Sequence, residues 1–334
     1  MSAHLPLSGK HINRLCIFVT LAIALLLSQP GCNRHDERAA PGQGHNHGIA
    51  VIPKGSTHVF WKSVHAGANA AGKEFGYEIY WNAPELETDR ERQIQIVEDF
   101  IVQKVDGIAL APVDKEALVP SVEKLASLKI PCAIMDSAIG TDKYITFAAT
   151  DNYKGGAMAA RRMGKILDGK GKVILIKYAP GSASTTEREN GFSETLAKEF
   201  PGIEIVDAKY GMATVESALQ ATEDLLTRHA DVQGLFACNA STAVGAFQAL
   251  QSQKRPEVKM VGFDAETALL DGLRAGQIDS LVVQDPYKMG YEGVKAIAAF
   301  HKGEPVEKRI DTGVTVITKE SLADPKIQDL LKTQ

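Results

Sequence analysis

Residues 105–111 read Val-Asp-Gly-Ile-Ala-Leu-Ala, and residues 232–238 repeat this apolar pattern as Val-Gln-Gly-Leu-Phe-Ala-Cys. Each run opens a unit that passes through a helical stretch and closes on a second apolar run ending in an aspartate. The closing Asp136 and Asp264 follow the glycines of their runs by 29 and 30 residues. Buried strand, helix and buried strand in this order are typical of parallel α/β sheets. The repeat therefore predicts two lobes built alike, each with an aspartate at the carboxyl end of a strand.

The same alternation of strand and helix patterns extends on both sides of the repeat. It begins near residue 49 and restarts at Val173. Strands this apolar, separated by amphipathic helices, predict parallel sheets that helices cover on both faces. We therefore expect an α/β protein of two doubly wound lobes, with its ligand at the carboxyl ends of the strands. Two aspartates that face each other across one cleft suit a ligand with many hydroxyl groups.

The composition is that of an ordinary globular protein. The chain has 334 residues, of which 44% are hydrophobic and 23% are charged, so it is long enough for two domains with sizeable cores. Its net charge of -4 gives no reason to expect nucleic acid or an anionic membrane surface as a partner. We expect a monomer that uses no metal and no cofactor.

The first 32 residues have the pattern of an export signal. A basic flank precedes an apolar run at 15–27, which is too short to span a bilayer comfortably. Residues 28–32 read Ser-Gln-Pro-Gly-Cys and resemble a bacterial lipoprotein cleavage box, although Gln29 stands where that pattern prefers leucine. We expect a lipid on Cys32. The alternative is ordinary cleavage near this point, which would leave a free soluble protein.

Residues 33–48 are polar, contain glycine and proline, and lack apolar periodicity, so they predict a flexible tether. The histidines of this segment are a potential metal contact. Because no cysteine or carboxylate cluster accompanies them, we favour a solvated linker. In the globular body, Cys132 and Cys238 fall inside apolar strand runs, and we expect both to be buried and unpaired.

The turns after the first strand of each series argue against a nucleotide-binding enzyme. Residues 53–58 and 178–184 contain neither a glycine-rich dinucleotide turn nor a phosphate loop. The sequence also lacks a nucleophile elbow and a zinc-protease motif. Pro180-Gly181-Ser182 before a helix has two interpretations, an anion site made of backbone N–H groups or a turn that caps the helix. We expect a binding protein rather than an enzyme.

Several short motifs in a fixed order resemble those of the ribose/galactose type of periplasmic sugar-binding proteins, which are solute receptors of ABC importers. They are Asp136-Ser137, Thr-Asp-Asn at 150–152, Thr-Glu-Arg-Glu-Asn-Gly-Phe at 186–192, Phe-Ala-Cys-Asn at 236–239, Val-Gly-Phe-Asp at 261–264 and Val-Gln-Asp-Pro at 283–286. The likeness covers about residues 49–318. It implies the type I periplasmic binding protein fold, in which the chain crosses a hinge three times.

The resemblance also implies the boundaries of the two lobes. The three crossings fall near 151–152, 284–285 and 313–314. They divide the chain into a first lobe of residues 49–151 and 285–313, and a second lobe of residues 152–284 and 314–334.

Carried over position by position, the resemblance implies the ligand contacts. An aromatic platform for the apolar face of a sugar falls on Phe60 and Trp61, with core packing as the alternative for Trp61. Asp136 and Asp264 match two carboxylates that accept hydrogen bonds from hydroxyl groups; the alternative is that each caps the next helix. Arg188 matches an arginine whose planar fork holds two neighbouring oxygens, and an exposed salt bridge is its alternative.

Five further positions complete the implied site. Asn239 lies at the cleft end of its strand, and Gln284 ends the last strand of the second lobe, where the family uses an amide. Asn152 falls at a crossing, where a hinge role is as well supported as ligand contact. Ser137 and Met212 stand where the ribose-specific member of the family has an arginine and an aromatic residue. These two differences favour a sugar other than ribose.

The resemblance implies that a sugar binds between the lobes, favours their closure, and is delivered to an ABC permease. A lipid on Cys32 would hold the receptor near that permease, in the periplasm or at the cell surface. A sugar-sensing partner of a membrane signalling receptor would use the same fold and cleft, and is the alternative. A repressor core is disfavoured, because an export signal occupies the place of its DNA-reading domain.

Overall fold

The computed structural model describes residues 47–56 and 58–332. The predicted export signal, Cys32 and the tether up to residue 46 lie outside the described residues. Within the part that the structure describes, no helix is both long and apolar enough to cross a membrane.

The described residues form twelve β-strands and ten α-helices. In chain order they are β1 (Gly48–Ile52), α1 (Val59–Phe75), β2 (Glu78–Trp81), α2 (Arg90–Gln103), β3 (Gly107–Leu110), α3 (Val119–Ser127), β4 (Cys132–Met135), β5 (Thr146–Ala149), α4 (Asn152–Ile166), β6 (Lys170–Lys177), α5 (Ala183–Glu199), β7 (Gly202–Tyr210), α6 (Val215–Arg228), β8 (Gly234–Ala237), α7 (Ala240–Ser252), β9 (Lys259–Phe263), α8 (Thr267–Ala275), β10 (Ser280–Gln284), α9 (Pro286–His301), β11 (Arg309–Asp311), β12 (Val314–Thr318) and α10 (Pro325–Lys332).

The strands form two six-stranded sheets with matching order. The first sheet runs β2-β1-β3-β4-β5-β11, and the second runs β7-β6-β8-β9-β10-β12. Strands β1, β3, β4 and β8 are buried at every position, because helices cover both faces of each sheet. Each sheet therefore has an apolar core on either face. The predicted fold class, two doubly wound α/β lobes, is confirmed.

One strand departs from the predicted all-parallel sheets. All neighbouring strands of the first sheet are parallel, but β12 pairs antiparallel with β10 in the second. The path of the chain explains this difference. Strand β10 leaves the second lobe at its carboxyl end, whereas β12 enters the second lobe from the same hinge edge and must run the opposite way.

The chain passes between the two sheets at three places. Strand β5 of the first sheet is followed by α4, which packs against α5 and β9 of the second lobe. Strand β10 of the second sheet is followed by α9, which packs against α1 of the first lobe. The short connection at 312–313 then joins β11 to β12. The first strand begins at Gly48, one residue before the predicted start of the first lobe.

Candidate functional site

The residues that follow the strands of both lobes line one cavity between them. The space that no atom fills there is about 350 Å³, including the part that opens to solvent. The lining residues are Lys54, His58, Phe60, Trp61, Glu87 and Asp136 from the first lobe, and Tyr178, Ser184, Thr185, Arg188, Asn239, Ala240, Asp264 and Gln284 from the second. The cavity thus lies at the carboxyl ends of the parallel strands, where ligands bind in open α/β sheets.

Asp136 and Asp264 enter this cavity from opposite lobes. Their side chains belong to residues that are only 4% and 6% exposed. Both have a left-handed backbone, with φ of 58° and 70°, at the point where the chain leaves β4 and β9. Neither caps the next helix, because Asp151 caps α4 and Glu266 holds the cap position of α8. A conformation that is unfavourable for non-glycine residues is thus kept at both aspartates.

A buried lysine neutralises Asp136. The Lys54 ammonium lies 2.7 Å from Asp136 Oδ2 and is almost fully buried. It also donates to the hydroxyl groups of Ser184 at 3.0 Å and Ser182 at 3.4 Å, both in the second lobe. Because a buried charge requires partners, this lysine holds Asp136 in place and links the two lobes at the floor of the cavity.

A chain of hydrogen bonds orients Asp264. Arg188 Nη2 donates to Gln284 Oε1 at 2.8 Å, and Gln284 Nε2 donates to Asp264 Oδ1 at 2.7 Å. The other carboxylate oxygen accepts from the backbone N–H of Ala240 at 2.8 Å. Burial raises the pKa of Asp264, while the positive charge of Arg188 and these hydrogen bonds oppose that shift. The carboxylate is therefore a fixed, poorly hydrated acceptor.

Arg188 is buried and tied to the frame of the second lobe. Its Nε donates to Asn152 at 2.8 Å, its Nη1 donates to the carbonyl of Cys238 at 3.0 Å, and its guanidinium lies 3.9 Å from the Phe263 ring centroid. With the bond to Gln284, three of its five N–H groups are engaged. The exposed salt bridge considered from the sequence is not formed, because the guanidinium points into the lobe interface.

Close packing of two helices places Arg188 at the cavity. Helix α4 meets α5 through small residues, and a Cβ added at Gly156 would lie 2.0 Å from the carbonyl oxygen of Arg188. A Cβ added at Gly191 would likewise lie 2.1 Å from the carbonyl oxygen of Tyr153. Only glycine permits this backbone approach, so the two glycines fix the position of the arginine relative to the sheet.

The aromatic side of the cavity surrounds a buried carboxylate. Trp61 Nε1 donates to Glu87 Oε1 at 2.6 Å, and Tyr178 of the second lobe donates its hydroxyl to Glu87 Oε2. Phe60 meets Trp61 edge to face, with ring centroids 4.8 Å apart. Burial and the charge of Glu87 raise the pKa of Tyr178 well above its usual value, so this hydroxyl stays a donor. Trp61 packs in the core of the first lobe and also lines the cavity.

This geometry agrees with comparisons to known proteins. The sequence profile of the periplasmic binding protein domain matches residues 49–305. The chain belongs to the periplasmic binding protein family. A carbohydrate transporter solute-binding protein from Agrobacterium radiobacter, solved with D-arabinose, is 35% identical and superposes with a TM-score of 0.83, covering 85% of this chain and 98% of its own.

Two other relatives support the assignment of this chain to the periplasmic binding protein family. An ABC transporter solute-binding protein from Agrobacterium vitis, solved with D-fucose, is 36% identical, with a TM-score of 0.81 over 84% of this chain and 98% of its own. The ribose import binding protein of Bacillus subtilis is 29% identical over 268 residues, which are 78% of this chain and 84% of that protein. The family resemblance inferred from short motifs is confirmed.

Most of the residues that the sequence assigns to the site line the cavity. They are Phe60, Trp61, Asp136, Arg188, Asn239, Asp264 and Gln284. Asn239 does so while capping α7, since its side chain accepts from the N–H of Thr242 and the hydroxyl of Thr242 accepts from Asn239 N–H. An amide that is held in this way presents a fixed edge to the cavity.

Three predicted contacts lie outside the cavity. Asn152 is buried at the hinge, where its side chain accepts from Arg188. Ser137 is fully buried, and its hydroxyl accepts from the backbone N–H of Ser184 across the lobe interface at 3.1 Å. Met212 is 49% exposed and faces a separate groove beside Pro180. Asn152 and Ser137 thus hold groups beside the cavity in place, whereas Met212 has no contact with it.

Several residues that line the cavity were not predicted from the sequence. Tyr178 directly follows β6 and Lys54 is the second residue after β1, so the rule that selected the two aspartates at strand ends could have found them. Glu87 lies in the loop between β2 and α2, where no periodicity marks it. Ser184 and Thr185 lie in the first turn of α5 and reach the cavity because this helix starts at its edge.

Proposed function

We propose that this protein binds a sugar in the cavity between its lobes, outside the cytoplasm, and delivers it to an ABC importer. The observation that carries the proposal is the pair of buried carboxylates, Asp136 and Asp264, which reach one cavity from opposite lobes. Neighbouring hydroxyl groups are the donors that such fixed acceptors recognise. The membership in the periplasmic binding protein family supports the same function.

The side chains of the cavity have complementary roles toward a sugar. The aspartates accept hydrogen bonds from hydroxyl groups, Arg188 donates to ring or hydroxyl oxygens, and the rings of Phe60 and Trp61 contact the apolar C–H face. Because these groups come from both lobes, a ligand that contacts all of them binds the closed arrangement more tightly than the open one. Ligand binding therefore shifts the population toward closure.

The relatives indicate where the search for the ligand should begin. The structural neighbours were solved with D-arabinose and D-fucose, and the Bacillus relative is a ribose import protein. We infer a monosaccharide of this size, a pentose or a 6-deoxyhexose. Thermal shift of the purified protein against D-arabinose, D-fucose, D-ribose and D-tagatose tests this inference. A clear rise in the unfolding temperature with at least one sugar is expected; no rise with any carbohydrate would contradict the proposed function.

We also propose that the ligand leaves unchanged, because the relatives are binding proteins and transporter components. NMR spectra of the sugar before and after prolonged incubation with the protein test this point. Identical spectra are expected, and the appearance of a new product would identify an enzyme.

The attachment of the protein to the membrane is a separate proposal. The cleavage-box pattern at 28–32 supports a lipid on Cys32. Metabolic labelling with a fatty-acid analogue should mark the wild-type protein and not Cys32→Ser. Equal labelling of the two would refute lipidation at this residue. Size-exclusion chromatography with light scattering tests the expected monomer.

A further inference from the structure

A second set of contacts between the lobes lies on the turn that precedes α5. Arg90 Nη2 of the first lobe donates to the carbonyl oxygen of Pro180 at 3.0 Å. The backbone N–H of Lys115, also in the first lobe, donates to the carbonyl oxygen of Gly181 at 2.9 Å. None of these four residues lines the sugar cavity. The turn that the sequence offered as an anion site therefore presents two carbonyl groups to the other lobe.

The first lobe holds Arg90 ready for this contact. Its Nε lies 2.6 Å from Asp114 Oδ2. The other oxygen of Asp114 accepts from the backbone N–H groups of Glu116 and Ala117, at 2.9 and 3.0 Å. The carboxylate is thus fixed to the start of its own loop, and it fixes the guanidinium in turn. Arg90 therefore loses little side-chain freedom when the turn of the second lobe arrives.

The second lobe is shaped to approach this carboxylate closely. Gly181 has φ of 94°, a conformation that side chains rarely adopt. A Cβ at this position would lie 2.2 Å from Asp114 Oδ2, across the lobe interface. Glycine is thus required twice, by the backbone of the turn and by the contact with the other lobe.

We propose that Arg90, Asp114 and Gly181 form a clasp that sets the affinity for sugar by stabilising the closed lobes, without touching the sugar. The bonds that Arg90 and Lys115 donate to the turn at 180–181 exist only when the lobes are together, so they raise the closed fraction whatever ligand is present. Apparent affinity is the intrinsic affinity multiplied by that fraction. Loss of the clasp should therefore weaken every sugar by one common factor, whereas a change inside the cavity should alter the ranking of sugars.

Arg90→Met tests the clasp, and Arg92→Met is its matched control. Arg92 lies on the same helix, and its guanidinium donates only to Gln95 of its own lobe, at 3.0 Å, among the bonds that the described residues show. Titration calorimetry with D-arabinose, D-fucose and D-ribose should give an affinity loss of about three- to tenfold for Arg90→Met, the value of one hydrogen bond. The factor should be the same for each sugar that binds, and Arg92→Met should match wild type.

This affinity test rests on the proposed function, so a second test needs no ligand. The backbone N–H of Lys115 is protected from hydrogen exchange by its bond to Gly181, and its exchange reports opening of the lobes. Exchange in the free protein should be faster in Arg90→Met and in Gly181→Ala than in Arg92→Met. Thermal unfolding of each free variant verifies that it is folded.

The outcomes separate the two proposals. If no sugar binds wild type, the proposed function fails, and the exchange rates alone decide the clasp. If sugars bind and Arg90→Met equals Arg92→Met in both measurements, the clasp is refuted and the proposed function stands. An Arg90→Met variant that changes the ranking of the sugars would also refute the clasp, because it would place this arginine at the ligand.

Discussion

Replacement of Asp264 by asparagine tests a carboxylate whose two oxygens both accept hydrogen bonds from the protein. Both carboxylate oxygens of Asp264 face hydrogen-bond donors. Gln284 Nε2 donates to Oδ1 and the N–H of Ala240 donates to Oδ2, while Arg188 donates to the oxygen of the Gln284 amide and so fixes its orientation. Asparagine has a single acceptor oxygen, so its NH2 group must face one of these donors. Turning the Gln284 amide over does not help, because its NH2 group would then face Arg188.

The magnitude follows from the bonds that the ligand loses. A hydrogen bond to a charged group contributes about 1.5–3 kcal/mol, so loss of one such bond to a sugar hydroxyl lowers affinity roughly ten- to hundredfold. Titration calorimetry with the best sugar from the thermal-shift panel measures this change. Asp271→Asn is the control, because Asp271 lies on α8 of the same lobe and, among the described residues, its one ion pair is with Arg274 on the same helix. If Asp264→Asn binds sugar as tightly as wild type, the assignment of this carboxylate is wrong.

Three other predictions concern pH, packing and thiol reactivity. Burial raises the pKa of Asp264, so the ionised form of this carboxyl is lost as pH falls through that raised value. Sugar affinity should therefore decline on acidification from neutral pH, which calorimetry at several pH values measures. The same protonation favours the folded state of the free protein. Gly156→Ala should lower the free energy of unfolding in urea by about 1–3 kcal/mol, because its Cβ would collide with the carbonyl of Arg188. Burial raises the pKa of Cys132 to about 12, so a thiol reagent should label Cys132 and Cys238 only after unfolding.

The pH prediction and the packing prediction each have a matched control. Asp264→Asn should lack the pH-dependent step that this carboxylate causes in wild type. Gly155→Ala on the same helix should cost less than Gly156→Ala, because its Cβ would meet the side chain of Phe263 at 3.1 Å rather than a backbone oxygen. Rapid labelling of either thiol in the folded protein, or a Gly156→Ala variant as stable as wild type, would contradict the packing described above.

The repeat of apolar runs predicted the two lobes because buried parallel strands impose a composition that is visible in sequence. The direction of β12 was not predictable in this way. An edge strand at a hinge has no apolar signature of its direction, which is set by where the chain re-enters the lobe. The three crossings were placed by resemblance rather than by any local signal.

Site residues were predictable where the backbone dictates their position. Asp136 and Asp264 end buried strands, and parallel strands bring their carboxyl ends to one edge. Lys54 satisfies the same rule. Met212 does not, because it lies on a left-handed turn, with φ of 51°, that directs it to the neighbouring groove. Glu87 reaches the cavity from a loop, and its position there is visible from its contacts with Trp61 and Tyr178 in the structure rather than from any sequence pattern.

A crystal structure of the protein with its best-binding sugar would show which side chains hold the ligand. We expect one sugar molecule between the lobes, with hydroxyl groups within hydrogen-bond distance of both Asp136 and Asp264. A sugar bound elsewhere, or one that contacts neither carboxylate, would show that this cavity is not the binding site proposed above.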